Sequence, residues 1–389
     1  MVRLQTVSKS MIALAGLALS ATAGATIKFA PAVNIATGAY SGSTNPPSYA
    51  GPGPAPTSSV SADINNDGRP DVVNANWWGT GFTIMLNNGN GNFTPLPVAV
   101  TDNVQSVAAA DVNGDGKVDV VYMTGFQIVT LLGDGAGNFR EASRYSYISG
   151  GQEQSLIADF NRDGKPDLAI VSLGNGGGIQ VMLGKGDGTF SNGPFTGTLG
   201  VVDAAAVANL NNDGIPDLMV LSATTGPTPV SEIYPLVGKG DGSFTAKSPT
   251  PFGGIISEDI AVGDLNGDGV DDVVTANSFS FNVTVLLSNA SGGYTQAGSY
   301  NGGFGPVSID LADLDGDGKL DIVEAVVGQA IVQVFPGLGG GSFGPVIQLP
   351  VAPFPQSPVL DKFYGTGKLD LVVSGPTEMS VLKNISTLP

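Results

Sequence analysis

The chain of 389 residues contains no cysteine and no histidine. Disulfides, thiol nucleophiles, Ser-His-Asp triads and zinc sites built on Cys or His are therefore all excluded. Basic residues are scarce: 16 Lys plus Arg stand against 34 Asp plus Glu, for a net charge of −18. Phosphate recognition needs clustered cations, so nucleic acid is not an expected partner. Charged residues make up only 13% of the chain and hydrophobic ones 42%, too apolar for a disordered acidic tail. Beyond residue 25 no apolar run is long enough to span a bilayer.

The first 25 residues read as a signal peptide. Arg3 and Lys9 form a basic start, residues 11–19 are apolar, and small residues fill 21–25. The expected mature chain, 26–389, is then exported to the periplasm or beyond, as a single domain and a monomer. An exported protein without disulfides needs another staple, which points towards metal.

What the sequence has in abundance is repetition. A nine-residue pattern, Asp-x-Asn/Asp-x-Asp-Gly-x-x-Asp, begins at Asp63, Asp111, Asp159, Asn209, Asp264 and Asp313, with a degraded seventh copy from Asp361 to Asp370. Successive starts are 48, 48, 50, 55, 49 and 48 residues apart. A second pattern follows each first one: a glycine-rich turn ending in an aromatic, as in Gly184-Lys-Gly-Asp-Gly-Thr-Phe190. β-rich runs flank both, so each unit holds four short strands, the signature of a propeller blade. The last unit lacks its aromatic-led strand, and Phe29 with the residues after it matches Phe93 and its followers. The expected fold is all-β: one seven-bladed propeller closed by the N-terminal strand completing the last blade. A Gly/Pro/Ser-rich insertion at 41–56 reads as a surface loop.

The acidic pattern has a chemical rationale. Alternate residues of a tight loop turn oxygens inward, glycine at the sixth place allows the sharp turn, and the seventh offers a backbone carbonyl. A closing carboxylate completes the six or seven oxygens that Ca²⁺ prefers. The candidate ligands are Asp63, Asn65, Asp67, Arg69 and Asp71; Asp111, Asn113, Asp115, Lys117 and Asp119; and Asp159, Asn161, Asp163, Lys165 and Asp167. They continue with Asn209, Asn211, Asp213, Ile215 and Asp217; Asp264, Asn266, Asp268, Val270 and Asp272; and Asp313, Asp315, Asp317, Lys319 and Asp321. The varied seventh residues fit a backbone contact. Eighteen of the 34 acids occupy these places, so the acidity is largely coordination chemistry. The fourth loop, with Asn209 replacing the first acid, should bind most weakly, and the sixth, with four acids, most tightly. The seventh offers Tyr364, Gly365 and Thr366 instead of ligands, so no ion is expected there.

With the Gly-Asp-Gly-Thr-Phe turn, these loops resemble the integrin α-chain-like FG-GAP repeats and their bacterial VCBS-type relatives, over about residues 27–386. The resemblance implies a seven-bladed, Ca²⁺-holding propeller. It does not name a function, since adhesins, lectin-like proteins and some polysaccharide lyases carry similar units.

Topology places the acidic loops and glycine turns on one face. The other face carries the loops between second and third strands and the connections between blades. It includes Trp77 and Trp78, the only tryptophans, together with Phe279 and Phe281. These rings are either an exposed binding surface or satellite core between blades. Six residues before the first ligand place lie Gln105, Glu153, Asp203 and Glu258, either solvated loop acids or a cluster near the mouth of the central channel. The expected function is a non-enzymatic binding or adhesion module for an extracellular glycan or protein. A carbohydrate-active enzyme, lyase or hydrolase, is the alternative, because Asp and Glu abound.

Overall fold

The computed structural model describes residues 26–37, 58–75, 81–98, 100, 104–146, 153–175, 177–197, 199–224, 230–254, 256–289, 292–376 and 378–387. The expected signal peptide, the 41–56 insertion, and Trp77 and Trp78 lie outside the described residues.

Short runs rich in Val, Ile, Leu and Ala, broken by Asp-Gly and Gly-rich turns, fold into seven antiparallel four-stranded blades. Blade 1 comprises Ser59–Ala62, Asp71–Ala75, Phe82–Asn87 and Phe93–Val98. Blade 2 comprises Ser106–Ala110, Asp119–Met123, Gln127–Gly133 and Phe139–Ser146, and blade 3 Glu153–Ala158, Asp167–Ser172, Gly178–Gly184 and Phe190–Thr196. Blade 4 runs Val201–Ala208, Asp217–Ala223 and Ser231–Gly238, with its outer strand split into Phe244–Ala246 and Thr250–Pro251. Blade 5 is Ser257–Gly263, Asp272–Asn277, Asn282–Ser288 and Tyr294–Asn301.

In blade 6, after Pro306–Ala312, Asp321–Val326 and Ile331–Phe335, the outer strand is Ile347–Pro350. Phe343, the expected start of that strand, instead pairs in a separate small hairpin with Gly337. Blade 7 is Pro358–Asp361, Asp370–Ser374 and Glu378–Leu382, completed by Val33–Ala36 from the other end of the chain. Bridges from Phe29 to Asn384 and from Thr26 to Thr387 extend that closure.

The first strands stand side by side in a closed series, the seventh returning to the first. The core is correspondingly divided into seven clusters, one at each seam between blades. Val73, Phe82 and Tyr122 belong to the seam of blades 1 and 2, while Val72, Met85 and Phe363 belong to that of blades 7 and 1. Neighbours in a strand thus serve opposite seams, which explains why the second strands are buried throughout instead of alternating.

Two sets of hydrogen bonds lock the seams. On the acidic side, the glycine turn of one blade donates to the loop of the preceding one: Gly188 N–H to Val112 O at 3.2 Å and Gly341 N–H to Leu265 O at 3.2 Å. A Cβ at these glycines would come within 2.8 Å of Leu132 and 2.7 Å of Leu287, and both adopt positive φ, +83° and +74°. Around the channel, side chains near the start of the first strands reach the next blade. Ser58 Oγ donates to Val107 O at 3.0 Å, Ser106 and Ser155 share a 2.8 Å hydrogen bond, and Gln154 Oε1 accepts from Ala205 N–H at 2.9 Å. Asp259 Oδ2 accepts from Ser308 Oγ at 2.7 Å and Ile309 N–H at 3.1 Å. This polar ring was not foreseen, because these residues differ in identity from blade to blade.

Candidate metal loops and binding face

Each acidic loop joins the first two strands of its blade and is held by its own side chains. The third-place oxygen accepts the fifth residue's N–H, as Asn113 Oδ1 does from Asp115 at 2.8 Å. The fifth-place oxygen accepts the seventh residue's N–H, as Asp115 Oδ1 does from Lys117 at 3.0 Å. The first-place acid straddles the turn: Asp111 takes the N–H groups of Asp115 and Gly116. The same pattern recurs in the loops starting at Asp63, Asp159, Asp264 and Asp313. These bonds require a left-handed backbone at the sixth place, where every loop has glycine, with φ from +74° to +84°.

The ninth place behaves differently. Asp71, Asp119, Asp167, Asp217, Asp272, Asp321 and Asp370 are all buried, and each carboxylate bridges two stretches of backbone by accepting their N–H groups. One belongs to its own loop and the other to the end of the blade's third strand, as with Val112 and Gly133 on Asp119 at 3.0 and 2.9 Å. Burial, only partly opposed by these bonds, pushes Asp71, Asp119, Asp167 and Asp272 up to about 6, and Asp321 to about 7. The seventh blade keeps this arrangement at Asp370 without the other acids: Tyr364 N–H donates at 2.8 Å and Asn384 N–H at 2.9 Å.

At the sixth loop Asp313, Asp315 and Asp317 bring carboxylate oxygens within 4.8 Å of one another. Three hard oxygens so placed are the kind of donor that a calcium-sized cation takes. Asn65, Asn113, Asn161, Asn211 and Asn266 put an amide oxygen in the third place of the other loops. Seventh-place cations fold onto the fifth-place acids, Arg69 on Asp67 at 2.9 Å and Lys319 on Asp317 at 2.8 Å. That side-chain contact was not anticipated from variety at the seventh place.

The opposite face has another chemistry. Among the described residues, the loops between second and third strands and the connections between blades contain no charged residue. Exposed phenylalanines gather there instead. Phe281 stacks on Phe304, ring centres 5.3 Å apart and planes 24° from parallel, with Phe304 64% exposed. Phe281 holds φ at +55°, unusual for a bulky residue. Phe126, Phe195, Phe279 and Phe354 are exposed on the same side. Phe279 and Phe281 are therefore surface and not satellite core, and Phe304, whose ring completes the stack, was missed because only its partner's loop looked aromatic.

Of the four residues near the channel mouth, Asp203 and Glu258 come together across blades 4 and 5. Each sits where the pairing of its first strand shifts register, a bulge that re-aims the side chain. Burial and the nearby Glu258 push Asp203 up to about 7. Glu258 is raised by burial against a 2.7 Å hydrogen bond from Ser278. They are not solvated loop acids. Gln105 lies apart on blade 2, its Oε1 buried without a partner, and Glu153 begins the first strand of blade 3.

One further acid was not singled out by its sequence context. Glu324, on the second strand of blade 6, is wholly buried, and its Oε1 has no hydrogen-bond partner. With its amide turned to suit its neighbours, Gln333 donates to Glu324 Oε2 and to Asn301 O, both at 3.1 Å. Burial lifts the Glu324 carboxyl well above the usual range.

The FG-GAP-like repeat family model matches residues 63–122, 159–220 and 264–324. Each stretch runs from one acidic loop to the second strand of the next blade, so the three include all six intact loops. Comparison with curated proteins yields no match. Among solved structures, the chain is similar to an Agrocybe aegerita lectin that recognises non-reducing terminal N-acetylglucosamine, at 22% identity and a TM-score of 0.52, covering 76% of this chain and 81% of that one. It is also similar to the Kuenenia stuttgartiensis hydrazine synthase (13% identity, TM-score 0.57, 85% and 96% covered) and to a streptogramin B lyase (13%, 0.55, 85% and 94%). Three unrelated activities at such low identity speak for a shared architecture alone. The chain is a seven-bladed β-propeller that contains FG-GAP-like repeats.

Proposed function

We propose that the chain is a secreted, calcium-stabilised binding module that presents its aromatic face to an extracellular glycan. The observation that carries this reading is the segregation of surface chemistry. Exposed phenylalanines, the Phe281–Phe304 stack among them, sit on a face whose described connecting segments hold no charged residue. Exposed aromatic rings on loops held between the strands stay available to the apolar C–H faces of a sugar. A lectin among the similar structures shows that this architecture is able to carry a glycan site. Calcium belongs to the opposite face, with Asp63, Asp111, Asp159, Asp264 and Asp313 and their loop partners as its holders. When bound, the ion supplies cross-links within loops that already turn their oxygens inward. Export rests on the basic, apolar and small-residue order of residues 1–25.

Glycan-array binding of the mature chain, with calcium and with EDTA, tests this function. Retained binding is expected with calcium, with loss in Phe281→Ala plus Phe304→Ala. An array silent for every glycan would reject the glycan reading. The alternative, a carbohydrate-active enzyme, draws on the raised Asp203–Glu258 pair. Turnover of a polysaccharide panel that disappears in Glu258→Gln would favour it.

A further inference from the structure

The fourth loop departs from the repeat by starting with Asn209, and the fifth departs by carrying an acid, Asp271, in its eighth place, where the other loops have Pro, Val or Leu. The structure joins the two departures. Asp271 Oδ2 accepts the Asn209 N–H at 2.7 Å, and Asp271 N–H donates to Asn209 O at 2.9 Å. Asn209 Nδ2 donates to Gly269 O, inside the fifth loop, at 3.2 Å. Tyr294, the aromatic that follows the blade 5 turn, donates its hydroxyl to Asp271 O at 3.0 Å.

At the next seam the eighth-place residue is Leu320. Its side chain lies against Gly263, directly before the first place of the fifth loop. An eighth-place side chain thus faces the start of the preceding loop, and at the fourth seam that contact is polar. An aspartate at position 209 would turn an oxygen towards Gly269 O and stand beside the Asp271 carboxylate. The asparagine amide removes both conflicts and supplies a donor. Its Oδ1 meanwhile accepts from Asn212 N–H at 2.8 Å, which preserves the turn.

We infer that Asn209 and Asp271 are positioning residues that make the fourth and fifth loops one cooperative unit. A cation held by Asp264 and Asp268 orders the fifth loop, and the bonds from Asp271 and Gly269 carry that order into the fourth loop, which is short of a carboxylate of its own. The inference rests on the calcium reading. It concerns which loops respond together, not whether any loop binds.

Hydrogen exchange of the intact mature chain, in calcium and in EDTA, reads each loop separately. Calcium should slow exchange in 209–217 and 264–272 with one shared midpoint. In Asp268→Asn, which weakens the fifth loop alone, protection of 209–217 should fall roughly tenfold although its own ligands are untouched. In Asp271→Leu, 264–272 should remain protected while 209–217 loses its response, and Asp271→Asn serves as a milder variant if that protein folds poorly. Restoring the repeat pattern with Asn209→Asp plus Asp271→Leu should return an independent response to 209–217. Undiminished protection of 209–217 in Asp268→Asn would overturn the inference, with loops such as 111–119 still responding. Absence of calcium protection in every loop would overturn the calcium reading itself.

Discussion

The carboxylate of Asp370 accepts the backbone N–H of Asn384 at 2.9 Å, matching the bond of Asp119 to Gly133 N–H at 2.9 Å. The loop around Asp119 is rich in metal-type oxygens and the one around Asp370 is not, so the ninth-place acid has a structural role independent of any ion. It ties the acidic loop to the end of the third strand where no side chain could donate.

Asp370→Ala should therefore destabilise the protein by about 2–4 kcal/mol, because two buried N–H groups lose their acceptor. The loss, read from urea unfolding midpoints, should be equal in calcium and in EDTA. A loss confined to calcium-containing buffer would show instead that the acid acts through an ion.

Chelation should lower the melting temperature of the wild type. A ligand at a hundredfold excess over its Kd adds about 2.7 kcal/mol per site to the folded state. Asp317→Ala, which removes one of three converging carboxylates, should shrink the difference between calcium and EDTA melts. An unchanged wild-type melt in excess EDTA would contradict calcium stabilisation.

Glu324 predicts a pH dependence. Its folded carboxyl holds its proton well above the usual range, so its favourable contribution is complete below the unfolded carboxylate range. That contribution drains away as pH rises through the raised folded value. Glu324→Gln keeps the neutral shape and should flatten this decline, leaving the variant more stable than wild type at neutral pH. Parallel stability profiles of the two proteins between pH 4 and 8 would refute this assignment of the slope.

On the aromatic face, Phe304→Ala should weaken glycan binding while shifting the melting temperature little, since the ring is mostly exposed. A large drop in melting temperature would mark the Phe281–Phe304 stack as structural. Trp77→Ala and Trp78→Ala, in the segment between the second and third strands of blade 1, belong in the same array experiment.

The blade count, the seven-fold spacing and the closing N-terminal strand were all legible along the chain, because each repeat announces itself with turn chemistry that tolerates few substitutes. Asp63 to Asp71 reads as a loop from its own residues, since the bonds that shape it join positions only a few residues apart. The absence of charge between second and third strands was also legible, since it needs only the strand boundaries.

Other features depend on which blades become neighbours. Asp259 meeting Ser308, Asp271 meeting Asn209, and Asp203 meeting Glu258 pair residues roughly 50 to 60 positions apart that share no motif. The burial of Glu324 has the same origin, since its isolated strand sequence looks amphipathic and only the packing of blades 5 and 6 removes it from water. Local sequence thus determined the blade, through short-range turns and strand propensity. The tertiary ring decided the seams, because contacts between blades depend on closure and not on any segment's own preference.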